Sequence, residues 1–399
     1  MNNERKDLLD EIFDKALSGR SLYKNHDVLR SDYIPSKLPF REKQIVAIGE
    51  ALSPLLHGSK CSNLLIYGKT GTGKTAVVKY VLMRLEEKAS DQGLKVRFAY
   101  SNTRIAGTEY RILADVAHSI GLSIPFTGLS IGEVLNRIKI AINSSELRMV
   151  FVMDEIDFLV KNYGDDLLYE LIRVNEQLPH GYLSIIGISN DLKFKEFLDP
   201  RVLSSLSEEE IVFLPYTADE LRVILYERAK MAFFEDAITE AAINLCAALA
   251  GSEHGDARRA LDLLRVSGEV AEREGAKRVE EKHVRIAVQK IEQDRMVEAL
   301  RSLPLHAKIL LWSIVSLGEA NSTGEVYDRY SGICRKNGIE SLTQRRVTML
   351  LSELDLLGLI ATNLISKGRY GRTKKISPLV QLQFVKDVFS EDPVMGSIL

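Results

Sequence analysis

The sequence predicts an α/β chain in three successive parts: a parallel-sheet domain over residues 1–216, a helical lid-like segment over 217–301, and a small domain over 302–399 made of helices and a hairpin. Three observations carry this. Five apolar runs of strand length alternate with helical patterns up to Tyr216, the signature of a parallel sheet covered on both faces. From Thr217 to about Arg301 the apolar spacing is helical throughout. From about Pro304 three further helical runs are followed by two short strands around a glycine-containing turn.

Composition is consistent with this plan. The chain has 399 residues, 45% hydrophobic and 27% charged, which suits an ordinary globular protein of two or three domains. No stretch approaches the roughly 20 uncharged apolar residues of a membrane helix. The first residues, "MNNERKDLLDEIFDKAL", are charged throughout and unlike a signal peptide, so a cytoplasmic location is expected. Cys61, Cys246 and Cys334 lie far apart without ligand spacing, so each reads as a small core residue. The net charge of −2 argues against a protein that coats nucleic acid generally, although a local basic patch can hide in a neutral total.

The first strand, "NLLIYG" (63–68), runs into "GKTGTGKT": Gly68, Lys69, Thr70, Gly71, Thr72, Gly73, Lys74 and Thr75. Ala76 continues into a helix whose Val78, Leu82 and Leu85 fall on one face. Strand, glycine-rich loop and helix together make a P-loop, in which backbone N–H groups and the helix N-terminus cradle phosphates. Lys74 is placed to reach the outer phosphates of ATP or ADP, and the Thr75 hydroxyl to bind Mg²⁺. A turn that merely matches the pattern is the alternative, and the strand and helix on either side speak against it.

The second strand is "KVRFAYSN" (95–102). The third, in "MVFVMDEID", ends in Asp154, a Mg²⁺ ligand directly or through water, and Glu155, a general base for the attacking water. The fourth, "YLSIIGISND" (182–191), brings Asn190 to a strand's carboxyl end, where ligands of such sheets sit. "EEIVFLPY" (209–216) completes the set. "TADELRVILYERAKMAFF" opens the helical segment with Thr217 and Glu220 in capping-box register and Leu221, Ile224 and Leu225 on one face.

In the C-terminal part, "LHAKILLWSIVSLG", "TGEVYDRYSGICRKNG" and "SLTQRRVTMLLSELDLLGLI" read as three helices. Ser341 and Gln344 suggest a capping box for the third, and Val347, Leu350, Leu351, Leu354 and Leu357 make its buried stripe. A strand "IATNLIS", a turn "KGRYGR" and a strand "TKKIS" follow, which spells a winged helix-turn-helix. Residues 341–375 hold seven Lys/Arg against two acids, a local +5. Thr343, Gln344, Arg345 and Arg346 are therefore candidate base or phosphate contacts, and Lys367, Arg369 and Arg372 candidate phosphate contacts. A solvated hairpin or a protein-binding winged helix is the alternative; charge on both helix and wing favours DNA.

Strand, P-loop and helix, then "VMDE", "GISN", "LDPRVLSSL" and "GDARRALDLLR" in that order resemble the AAA+ ATPases. More narrowly, "DYIPSKLPFREKQI", "DPRVLSSLSEEEIVFLPYTADELRVIL" and "GDARRALDLLRVSGEVAE" resemble the archaeal replication initiators, relatives of the eukaryotic origin-recognition and cell-division-control proteins. The resemblance spans essentially the whole chain. It implies that Asn190 is the sensor-1 residue and Arg258 the sensor-2 arginine reaching the phosphates from the lid. For Arg258 and Arg259 taken as residues alone, a solvated helix face stays open for one of the two. It implies that Tyr33, Ile34 and Pro35 lie along the adenine, with further nucleotide contacts at Tyr216 and Arg228.

Arg201 matches the region that supplies an arginine finger to a neighbouring subunit. Relatives also carry that arginine a few residues later, where this chain has Ser204 and Ser205, so a structural role for Arg201 stays open. The resemblance further implies a helical insertion after the second strand, here "TRIAGTEYRILADVAHSIGLSIPFTGLS", whose turn would present Pro125 and Phe126 as an apolar wedge against DNA. A buried loop between two helices is the alternative.

The function these features imply is a molecular switch. ATP between sheet domain and lid sets their angle, slow hydrolysis resets it, and the winged helix and insertion hold double-stranded origin DNA. The replicative helicase, recruited or loaded, and other initiator subunits on DNA are partners implied by the resemblance alone. The rival readings are a P-loop transcription regulator at promoters, an AAA+ motor acting on protein, for which no pore-loop pattern is found, and a DNA-bound scaffold that holds ADP permanently.

Overall fold

The computed structural model of the chain describes residues 21–318, 321–366 and 372–399. The chain divides into two compact units, one ending at Ala287 and the other running from Val288 to Leu399.

The first unit contains α1 (Glu42–Leu52), β1 (Leu64–Gly68), α2 (Lys74–Asp91), β2 (Val96–Asn102), α3 (Thr103–Ala106), α4 (Glu109–Ser119), α5 (Ile131–Ser144), β3 (Arg148–Asp154), α6 (Ile156–Tyr163), α7 (Asp166–Arg173), β4 (Tyr182–Ser189), α8 (Pro200–Leu206) and β5 (Glu209–Phe213). All five predicted strands are present. They form one sheet in the order β2-β3-β4-β1-β5, with every pairing parallel.

The central strands are buried on both faces, so they read as continuous apolar runs rather than alternating ones. Their two-residue period instead divides the side chains between two cores. Leu65, Tyr67, Met149, Phe151, Leu183 and Ile185 join the cluster built with α4 to α8. Leu64, Ile66, Val150, Val152, Ile186 and Ile188 join the cluster with α1 and α2, where the predicted stripe of Val78, Leu82 and Leu85 is buried.

A helical lid follows: α9 (Ala218–Ala232), α10 (Glu240–Glu253) and α11 (Ala257–Arg273). Thr217 and Glu220 close the predicted capping box at α9. Residues ahead of α1 pack on this lid. Tyr23 stacks on Phe233 with ring centroids 4.7 Å apart, and its hydroxyl donates to Arg265 C=O at 2.6 Å. All three cysteines are buried and free, Cys246 in the lid. Helix α12 (Glu281–Ser302) then crosses from the first unit into the second.

The second unit holds α13 (Leu305–Leu317), β6 (Asn321–Ser322), α14 (Thr323–Lys336), α15 (Gln344–Leu356), β7 (Ile360–Ser366), β8 (Arg372–Pro378), α16 (Leu382–Ser390) and α17 (Met395–Ile398). The strands form an antiparallel sheet in the order β6-β8-β7. Three helices and an antiparallel strand pair occur as predicted, while the predicted turn at 367–371 lies outside the described residues; β6, α16 and α17 are additions. Strand β6 is only two residues long, too short for a periodic signal, whereas α16 supplies Val385, Val388 and Phe389 to the core.

Two expectations for α15 need correction. Its cap is Thr343, whose hydroxyl accepts from Arg346 N–H, and the helix starts at Gln344. The Ser341–Gln344 pairing therefore sits two residues early. Leu357, assigned to the buried stripe, is 52% exposed. The helix ends at Leu356; Leu357, as its C-cap, still donates its N–H to Glu353 C=O, but the chain turns away through Gly358 at φ 69° and leaves its side chain half-exposed. Val347, Leu350, Leu351 and Leu354 are buried as predicted.

Among the described residues, no helix is long and apolar enough to cross a membrane.

Candidate nucleotide site and nucleic-acid interface

Strand register gathers the candidate residues at one edge of the sheet. Asn102 pairs with Asp154 across β2 and β3, Asp154 with Ile188 across β3 and β4, and Tyr67 with Ser189 across β1 and β4. The P-loop, Asp154, Glu155 and Asn190 thus leave the sheet at its carboxyl end. There they border a cleft of about 670 Å³, closed on its other side by Tyr33, Ile34, Pro35, Arg228 and Arg258. Its size suits a nucleotide-sized ligand.

Within the loop, Gly71 and Gly73 have φ of +71° and +89°, conformations that disfavour other residues. Lys74 is buried, and its Nζ donates to Gly68 C=O at 2.7 Å, Lys69 C=O at 2.7 Å and Asn190 Oδ1 at 2.9 Å. Burial pushes its ammonium down to about 8, against the opposing pull of Asp154. The Thr75 hydroxyl donates to Asp154 Oδ2 at 2.8 Å. These are two hard oxygen donors beside the phosphate cradle, as Mg²⁺ takes when it completes its shell with phosphates and water. No cluster of three or more His, Cys, Asp or Glu suited to a metal occurs among the described residues.

Asp154 also accepts from the Tyr100 hydroxyl at 2.7 Å; burial, reinforced by Asp154, holds that phenol well above its usual range. Glu155 sits in the left-handed region at φ 55°, a position few non-glycine residues adopt. Its carboxylate accepts from Asn102 Nδ2 at 3.3 Å and lies 3.6 Å from the Arg104 guanidinium. Asp157, two residues on, accepts from Ser189 Oγ at 3.0 Å and Asn190 N–H at 3.3 Å, which fixes the strand end that carries Asn190.

The lid touches the loop directly. Ala257 N–H donates to Gly71 C=O at 3.1 Å. The Asp256 carboxylate, which caps α11 by accepting from the N–H groups of Arg258 and Arg259, lies so close to Gly71 that a Cβ there would sit 1.7 Å from its Oδ1. Of the two adjacent arginines, Arg258 is exposed and lines the cleft. Arg259 is buried and pairs with Glu253 at 3.2 Å, so it is not a solvated residue.

Tyr216 lines the cleft, with its hydroxyl beside Gly73. Arg228 lines it too, but its guanidinium donates to Val28 C=O at 2.9 Å and Tyr33 C=O at 3.4 Å and covers the Tyr33 ring at 4.8 Å. It buttresses the segment that carries Tyr33, Ile34 and Pro35. Arg201 stands apart from the cleft, 75% exposed in its side chain and bound to Asp199 at 3.0 Å.

The sequence reading missed Arg41. Buried, it donates to Thr72 C=O at 2.9 Å and Leu214 C=O at 2.7 Å and stacks at 3.7 Å from the Tyr216 ring centroid, joining loop, β5 exit and lid entry. Its signal lay in "DYIPSKLPFREKQI", which contains it.

On the nucleic-acid side, Thr343, Gln344, Arg345 and Arg346 are exposed in and around the first turn of α15. Arg372 opens strand β8, opposite Ser366. Lys367 and Arg369 lie outside the described residues. The turn between α4 and α5 is not the buried loop considered as an alternative: Phe126 is 97% exposed and Pro125 is exposed, while Ile124 and Leu129 on either side pack against the core.

Three family models match the chain: the AAA domain over residues 57–186, the Cdc6 AAA+ ATPase-type lid domain over 222–289, and the CDC6 C-terminal winged helix domain over 298–388. The ORC1-type DNA replication protein of Thermococcus kodakarensis is 50% identical over 401 residues, covering 98% of this chain and 97% of that protein. The ORC1-type DNA replication protein 1 of Archaeoglobus fulgidus is 49% identical over 384 residues, covering 96% and 94%. Among solved structures, the Aeropyrum pernix ORC1 protein in complex with DNA aligns with a TM-score of 0.86 at 47% identity, covering 94% of this chain and 99% of that one. The chain belongs to the family of ORC1-type DNA replication proteins, the archaeal AAA+ replication initiators with a C-terminal winged helix.

Proposed function

We propose that this chain binds origin double-stranded DNA and helps recruit or load the replicative helicase, with ATP or ADP as its switch. The observation that carries the switch is the lid contact: Ala257 N–H on Gly71 C=O, with Arg258 lining the same cleft as Lys74 and Asn190. A ligand in that cleft bears on both halves at once, so its phosphates bias the lid angle.

In this reading the P-loop N–H groups of residues 68–76 and Lys74 bind the phosphates. Thr75 and Asp154 would hold Mg²⁺, which would supply charge neutralisation to the phosphates. Glu155 takes a proton from the attacking water, and Asn190 and Arg258 respond to the outer phosphate. Hydrolysis is slow, because the nucleotide state is the signal. Arg201 is the candidate finger toward a neighbouring initiator subunit; its guanidinium is exposed but paired with Asp199, so acting in trans requires it to exchange that partner. The winged helix meets DNA through Thr343, Gln344, Arg345 and Arg346 and through the basic wing, with Pro125 and Phe126 as a second contact. The DNA complex of the 47% identical Aeropyrum pernix protein supports this half of the reading.

Glu155→Gln should lower hydrolysis by about 100-fold or more while leaving ATP affinity within about threefold; near-normal turnover would remove Glu155 from the role. Genome-wide crosslinking and immunoprecipitation of the same variant and the wild type tests the DNA half. Peaks at mapped replication starts support the initiator, and peaks spread over promoters would favour a transcription regulator.

A further inference from the structure

The helix proposed to meet DNA is aimed by the chain that enters it. Leu342 immediately precedes the cap residue Thr343, and both of its backbone groups are held by tyrosines of α14. The Tyr327 hydroxyl donates to Leu342 C=O at 3.2 Å, and Leu342 N–H donates to the Tyr330 hydroxyl at 3.1 Å. The two tyrosines lie three positions apart on one face of α14, with ring centroids separated by 6.3 Å.

Tyr330 is fully buried and its hydroxyl also meets His306 Nδ1 at 2.8 Å, which ties it to α13. Tyr327 is half-buried. Phenylalanine would fill the same space, so packing alone does not call for two hydroxyls converging on one residue. Their product is a fixed path for Leu342 and, one residue on, a fixed origin for α15.

We propose that Tyr327 and Tyr330 are positioning residues for DNA reading: by holding Leu342 at both backbone groups they set the aim of Gln344, Arg345 and Arg346. This rests on the reading of α15 as the DNA-contacting helix. Base-edge contacts are directional and demand a fixed aim, whereas phosphate contacts carry charge and tolerate small shifts. Loosening the entry therefore costs specificity before it costs salt-dependent affinity.

The test uses the full chain. The wild type enriches a duplex from a random-sequence pool, and affinity for that duplex and for a scrambled one of equal composition is measured across salt. Wild type, Tyr327→Phe, Tyr330→Phe and Arg346→Ala are compared. Tyr327→Phe should lower the affinity ratio about threefold to tenfold, the range expected for one lost hydrogen bond, Tyr330→Phe, which also loses the His306 contact, at least as much, and both should leave the salt slope unchanged. If Tyr330→Phe unfolds, the half-buried Tyr327→Phe decides alone. A wild-type ratio in the tyrosine variants while Arg346→Ala lowers it overturns the proposal and spares the reading beneath it. An equal loss on both duplexes indicates a folding role only and also overturns it. Failure of Arg346→Ala to change either affinity, or of the wild type to enrich any sequence, overturns both.

Discussion

Lys74 shows how a single side chain links burial to function. Its ammonium sits among three oxygen acceptors with almost no solvent, and burial lowers its pKa from 10.5 to about 8. Phosphates beside it favour the charged form. Nucleotide binding above about pH 8 must therefore recruit a proton, because the free site has begun to lose it and the occupied site keeps it. Affinity should hold steady between pH 7 and 7.5 and then fall, by up to about tenfold per pH unit well above 8. Calorimetry at pH 9 in buffers of different ionisation enthalpy should register uptake of close to one proton on binding; no uptake would mean the ammonium is fully charged in the empty site. Lys74, Thr75 and Asp154 were readable from the P-loop and strand pattern. Arg104 and Asn102 beside Glu155 were not, because nothing local marks which side chains of a neighbouring strand end will face a given carboxylate.

Helix α15 shows what periodicity reveals about an element and where it stops. Its stripe was legible because apolar residues recur at helical spacing. Its ends were not, since a cap depends on one backbone conformation, and both Ser341 and Thr343 offered a hydroxyl. Leu354 is fully buried and Leu357 half-exposed past the helix end. Leu354→Ala should destabilise the C-terminal unit by about 2–5 kcal/mol, and Leu357→Ala by less than about 0.5 kcal/mol. Denaturant titration followed by the Trp312 signal from α13 would separate them, and comparable losses would mean Leu357 is buried in solution. The insertion behaves similarly: the family resemblance placed it, whereas the outward stance of Phe126 depends on Ile124 and Leu129 anchoring the turn to the core.

At the scale of the molecule, each of the two units has its own apolar core, and every cleft residue proposed to bind nucleotide belongs to the first. ATP at about 100 times its dissociation constant should stabilise that unit by about 2.7 kcal/mol. Differential scanning calorimetry should show two transitions, only one of them raised by nucleotide, by several degrees. A single transition moving as a whole would mean that α12 couples the units into one cooperative body.

The sequence by itself determined the five strands of the first unit, the three helices and strand pair of the second, the P-loop, the carboxylates at the end of β3 and the family these belong to. Those properties are written in local spacing, in residue types confined to a few positions, and in long motifs. Tertiary structure decided that Asp256 rests on Gly71, that Arg41 bridges the loop to the lid entry, that Arg201 lies outside the cleft and pairs with Asp199, and that two tyrosines hold Leu342. Each of these joins residues by packing and register, and a pairing made across the fold leaves no periodic trace in either partner's own stretch of chain.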